Sequence, residues 1–234
     1  MDRDAAVESV FTPVRAATTF EETVERLGTA IRTGILPAGT RLPSERMLAD
    51  ELEISRSTLR QALTTLVQSG HLVSFRGAAG GTFVTDRPPL ADAGAAPLGA
   101  KAWAVLDYRV AIEVGATVLA GERAEPVDFD RLEGLVERMR EVNDFEVYRR
   151  ADIRFHIGLA EAAGSPRLMS AMTEVQGRMS ELITRIAHPP VLLTHSNDQH
   201  GQLVRLLRRR DMPAAVRLIR EHIEGTEHIL AGLL

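Results

Sequence analysis

The sequence predicts a mainly α chain in two domains: three helices and a β-hairpin first, then an all-helical antiparallel bundle. Three observations carry this. Short helical stretches followed by one glycine-rich hairpin pattern fill the chain up to about residue 86. Residues 86–99, "DRPPLADAGAAPLG", are rich in Pro, Gly and Ala and hold no apolar periodicity, so they read as a linker. From Lys101 onward apolar residues recur at helical spacing, with breaks at Glu125-Pro126, Gly164-Ser165-Pro166, the "HPP" of 188–190, and Asp211 to Pro213. The boundaries drawn from this are 1–18 for an N-terminal extension, 19–86 for the first domain, 87–100 for the linker and 101–234 for the second domain.

The elements of the first domain follow in order. Residues 19–33 read as a helix, with Thr19 and Glu22 at capping-box spacing. "LPAGTRLP" breaks it with two prolines and a glycine. Ser44 then caps a short helix over "ERMLADEL", and Ser55 caps a third that runs to about Ser69 and stops at Gly70. "HLVSFR", "GAAGG" and "TFVT" read as strand, glycine turn and strand.

Composition sets the limits. The 234 residues carry a net charge of −4, and 44% are hydrophobic, enough for a core of Leu, Val, Ile and Ala. Without cysteine there are no disulfides or thiolate metal sites, so any metal must be held by His and carboxylates. No stretch approaches the apolar run of ~18 residues that a membrane span needs. The start, "MDRDAAVESVF", lacks a signal-peptide core, so a cytoplasmic protein without membrane contact is expected.

The net charge does not announce a nucleic-acid binder, but its distribution does. Residues 54–85 contain Arg56, Arg60 and Arg76 and no acid. On the third helix Leu59, Ala62, Leu63, Leu66 and Val67 form the inward stripe, and Ser57, Arg60, Gln61, Thr64 and Gln68 the outward one. Such a short, polar, acid-free face can donate to phosphates and base edges, and the helix N-terminus adds amide donors. Helix, helix, helix and hairpin in that order make a winged helix-turn-helix.

These residues also carry a resemblance. "LPSER…SRSTLRQAL…G…RG…GGTFV", within residues 19–85, resembles the DNA-binding domain of the GntR family of bacterial transcription regulators. The resemblance implies that Arg46, Arg56 and Arg60 contact DNA with Ser55, Ser57 and Thr58 in support. It also implies that Arg76 and Gly77 form the wing tip.

The second domain holds polar residues on apolar stripes. Asp152 and His156 share a face with Phe155, Leu159 and Ala163. His200 lines up with Leu203, Val204 and Leu207, and His222 with Ala215, Ile219, Thr226 and Ile229. One carboxylate and three imidazoles pointing inward need partners, and a divalent cation such as Zn²⁺, Ni²⁺ or Mn²⁺ satisfies all four. Arg109 shares a stripe with Val105, Ile112, Ala116 and Leu119, either as an ion-pair partner of Glu113 or as a fork for a carboxylate ligand. "DYRVAIE", "DIRFHIGLAEAAG", "DQHGQLVRLLRRRD" and "AAVRLIREHI" resemble the FCD effector domain of FadR-type GntR regulators. That resemblance implies a metal on Asp152, His156, His200 and His222 and an effector contact at Arg109. It departs at Ser165, where the family often has Asn.

The expected function is a homodimeric, ligand-responsive regulator, a repressor, that binds an inverted-repeat double-stranded DNA operator and senses a small carboxylate metabolite at the metal. Alternatives are an acyl-CoA sensor and a sensor of the metal itself. A metal-dependent hydrolase is disfavoured because no carboxylate base stands free beside the ligand Asp152.

Overall fold

The computed structural model describes residues 10–11, 18–77, 80–89 and 99–233, so most of the predicted extension and linker lies outside the described residues. The chain divides into two compact units. The first gathers residues of 1–98 with 185–191 and 225–234, and the second holds 99–184 and 192–224.

In the first unit, α1 (Thr19–Arg32), α2 (Glu45–Leu52) and α3 (Arg56–Gln68) precede the strands β1 (Leu72–Phe75) and β2 (Gly81–Val84). The strands pair antiparallel, Leu72 opposite Val84 and Phe75 opposite Gly81. Helix α1 begins one residue early for the predicted capping box: its N-cap is Thr18, and no side chain caps it. The other two caps form as the sequence predicts. Ser44 accepts from Met47 N at 3.3 Å and Ser55 from Thr58 N at 3.0 Å. Between α2 and α3 the chain turns in three residues, with Glu53 left-handed at φ 55°. The turn presses both helices inward on Leu48, Leu52, Leu59, Ala62 and Leu66, all buried.

The second unit is helical. It contains α4 (Ala100–Arg123), α5 (Pro126–Glu141), α6 (Phe145–Ala162), α7 (Pro166–Ile183), most of α8 (Pro190–Arg208) and the first part of α9 (Met212–Leu233). Helices α5, α7 and α8 start on the prolines that mark the breaks, because a first-turn proline loses no hydrogen bond. Ser165 caps α7, accepting from Leu168 N at 3.3 Å. The core is Phe155, Leu159, Met172, Leu203, Val204, Leu207, Ile219 and Ile223 with their neighbours. Among the described residues no helix is long and apolar enough to cross a membrane.

Candidate functional site

Three imidazoles meet inside the helical unit. His156 comes from α6, His200 from α8 and His222 from α9, and each is at most 5% exposed. Their ligand atoms all lie within 4.8 Å of one another. His200 Nε2 and His222 Nε2 are 3.3 Å apart. Two nitrogens on one tetrahedral Zn²⁺ would stand about 3.3 Å apart, given Zn–N bonds of about 2.0–2.1 Å. Asp152 Oδ1, one turn before His156, is 3.9 Å from His156 Nε2 and 3.7 Å from His200 Nε2.

Electrostatics suits metal ligation. Burial pushes His200 down to about 3, and His222 falls well below the usual histidine range through burial, His200 and Arg109. Both rings are therefore neutral near pH 7, with a lone pair to offer. Burial works to raise Asp152, but Arg149 and the neighbouring imidazoles outweigh it and hold the group ionised.

Behind the histidines stands a polar layer of which spacing marked only Glu113, as the partner of Arg109. Glu113 on α4, 0% exposed, places Oε2 3.0 Å from His156 Nδ1 and accepts from Arg109 Nε at 2.8 Å through Oε1. Its carboxyl stays ionised although burial opposes this, because the Arg109 guanidinium and the hydrogen-bond donors around it prevail. Gln176 Nε2 donates to the same Oε1 at 2.9 Å. Arg149 grips Asp152 Oδ2 and also donates to Ser180 Oγ at 3.1 Å. Gln199 Oε1 is 2.9 Å from His222 Nδ1. Carboxylates and amides at Nδ1 fix a ligand imidazole's tautomer and orientation.

Arg109 is 3% exposed and paired with Glu113, so the ion-pair reading of the sequence holds, in a buried setting. Its Nη1 is buried without a hydrogen-bond partner, as is Thr117 Oγ1 two turns further along α4. The pair thus leaves one guanidinium donor unspent.

The first unit carries the other predicted residues. Arg56, Ser57, Arg60, Gln61 and Gln68 are exposed on α3, and Arg46 is exposed on α2. Ser55 Oγ is 2.7 Å from both Ser57 Oγ and Thr58 Oγ1, a hydroxyl cluster at the N-terminus of α3. Arg76 is exposed at the end of the hairpin, and Gly77 takes φ 106°, where a side chain would be strained. One feature escapes any reading of residues 54–85 alone. Glu45 of α2 reaches the outward face of α3, and its Oε2 accepts from Arg60 Nε at 3.1 Å and Nη2 at 2.8 Å.

Comparison with known proteins places the chain. Residues 104–225 match the FCD domain, and residues 19–84 match the bacterial regulatory proteins of the gntR family. The HTH-type transcriptional regulator RmpR of Mycobacterium gastri is 35% identical over 217 residues, 86% of this chain and 76% of that protein. The L-lactate dehydrogenase operon regulatory protein of Escherichia coli K12 is 30% identical over 217 residues, covering 87% of this chain and 83% of its own. E. coli McbR/YncC shares the fold at a TM-score of 0.52 and 21% identity, over 90% of this chain and 96% of that one. The chain belongs to the GntR family of bacterial transcription regulators with an FCD domain, and it is a regulator and not an enzyme.

Proposed function

We propose that this regulator is a homodimeric repressor that reads an inverted-repeat operator and is switched by a small carboxylate metabolite bound at a divalent metal in the FCD domain. The observation that carries the reading is the convergence of His156, His200 and His222 on one point, with Asp152 beside them. Those four residues would hold Zn²⁺, Ni²⁺ or Mn²⁺, and the metal would supply open coordination positions for a carboxylate. Arg109 is the matching cation, with Nη1 unspent in a buried setting. The E. coli relative takes its name from an L-lactate dehydrogenase operon, and L-lactate is a small hydroxycarboxylate. An effector of this kind switches DNA affinity only if it favours one arrangement of the protein over another.

On the DNA side, Arg46, Arg56, Arg60, Ser55, Ser57 and Thr58 contact the operator, and Arg76 and Gly77 enter from the wing. Each subunit presents one α3, so a two-fold dimer meets two half-sites. The division into a DNA-binding domain over 19–86 and an effector domain over 101–234 is part of this proposal, with residues 225–233 belonging to the compact unit of the first.

Native mass spectrometry of untagged protein, purified without chelator, tests the centre. The expected mass is a dimer with one metal per chain, and His156→Ala loses the metal and the effector response while DNA binding persists. A wild-type dimer free of metal, with all four ligands intact, would remove the metal from the mechanism.

A further inference from the structure

Arg41 lies in the loop between α1 and α2, a stretch that the sequence marks only as a break. Its backbone forms an antiparallel bridge with Phe83 of β2. Leu42 N donates to Thr82 O at 2.9 Å, Val84 N to Thr40 O at 2.9 Å and Gly39 N to Val84 O at 3.0 Å. Residues 39–42 thus pair along the edge of β2 that β1 leaves open. From there the side chain runs along β2 toward the turn. Arg41 Nη2 donates to Gly80 O at 2.6 Å, and the guanidinium carbon stands 5.7 Å from the centre of the Phe83 ring.

The glycines of the hairpin fit this path. A β-carbon on Gly81 would sit 2.9 Å from Arg41 Nε, so a side chain there would push the arginine away. A β-carbon on Gly80 would meet Phe75 O at 2.4 Å, and Gly80 N donates to Gly77 O at 2.9 Å. Arg41 therefore grips the residue that closes the turn opened at Gly77, next to Arg76. A glycine-rich turn loses much conformational freedom when it is ordered, and an anchor within the free protein lessens that cost on binding.

We propose that Arg41 is a positioning residue of the wing: it holds the glycine turn so that Arg76 is presented to DNA in one orientation. The proposal rests on the reading that Arg76 and Gly77 meet DNA. The rival role for an exposed arginine here is a direct phosphate contact, which would act independently of Arg76.

The test is a double-mutant cycle on the full-length protein, with a duplex selected by that protein from a random library. Dissociation constants are measured over a range of salt for wild type, Arg41→Gln, Arg76→Ala and the double variant. Arg41→Gln should weaken binding roughly ten-fold and leave the urea midpoint near wild type. In the Arg76→Ala background it should change neither affinity nor salt slope, since coupled residues lose their effect together. Arg41→Lys, which keeps a donor at nearly the reach of arginine where the shorter glutamine amide falls short of Gly80 O, should recover most of the loss. Additive losses, with the salt slope falling by about one in both backgrounds, would make Arg41 a phosphate ligand and overturn the positioning role. Arg41→Gln binding as tightly as wild type would also overturn it. An Arg76→Ala protein of wild-type affinity would take the wing off the DNA altogether, and the role of Arg41 would go with it.

Discussion

At the scale of single residues, the buried histidines decide the most. An isolated inward imidazole is ordinarily a satisfied core residue, but His200 Nδ1 is buried without a partner while its Nε2 faces His222 and Asp152. This predicts a pH dependence. His200 titrates near 6.5 when unfolded and near 3 when folded, so between those values the unfolded chain binds the extra proton. His222 shifts the same way. Stability is therefore complete above pH 6.5 and is lost as the pH falls toward 3, by up to about 1.4 kcal/mol per pH unit for each ring. Urea unfolding of chelator-treated protein at pH 7 and 5 should show the drop, and His200→Gln should shrink it. Equal slopes in the two proteins would mean that His200 is already protonated in the fold. Asp152, Arg109 and the three histidines were legible from helical spacing. The depth of Glu113 was not, since an i,i+4 pair reads the same on a surface as in a core.

At the scale of elements, helix starts and stops were read well where a local side chain sets them, as at Ser44, Ser55, Pro126 and Pro166. The misplaced cap of α1 shows the limit, because capping-box spacing does not compel the box to form. The packing of α1 on the end of α9 was invisible in sequence. A β-carbon on Gly28 would stand 2.2 Å from Gly232 O, and one on Gly232 would stand 2.6 Å from Glu25 Cα. Arg32 Nη2 donates to Ala231 O at 2.5 Å, a cation at the carbonyl end of α9. His228 Nδ1 is 2.5 Å from Glu25 Oε2, and that bond raises His228 above its usual value. Backbone cannot swing aside as a side chain can, so Gly28→Ala should destabilise by about 3 kcal/mol, the upper range for overpacking. Gly134→Ala at an exposed position of α5, with nothing within 4 Å, should instead stabilise by about 1 kcal/mol through helix propensity alone. Urea midpoints of the two variants read both signs, and a neutral Gly28→Ala would mean that the helices have room to part.

At the scale of the whole molecule, the last helix belongs to both units: residues 212–224 lie with the helical bundle and 225–233 with the DNA-binding unit. The sequence drew one boundary through the linker and assigned everything after it to the effector domain. The segment beyond Glu224 brings Ile229, Leu230 and Leu233, at 3%, 0% and 8% exposure, into the buried core. Removing three such side chains costs more than about 5 kcal/mol, at about 2–5 kcal/mol for each large apolar residue. Small units hold only about 5–15 kcal/mol in total. A chain ended after Glu224 should therefore lose DNA binding and the thermal transition of its first unit. Retained DNA affinity in that shortened protein would show that the first unit is stable without the segment.

The sequence by itself determined the mainly α class, the order of elements, the helix-turn-helix with its wing, and which polar residues sit on inward stripes. These follow from local chemistry: period, caps, prolines and glycines act within a few residues of themselves. Only the tertiary structure decided which distant groups meet. It brought Glu45 to Arg60, Arg41 to the turn of the wing, Glu113 and Gln176 behind the histidines, and the end of α9 against α1. Such contacts depend on how helices pack in three dimensions, and a one-dimensional pattern shows which face a residue is on but not what that face will touch.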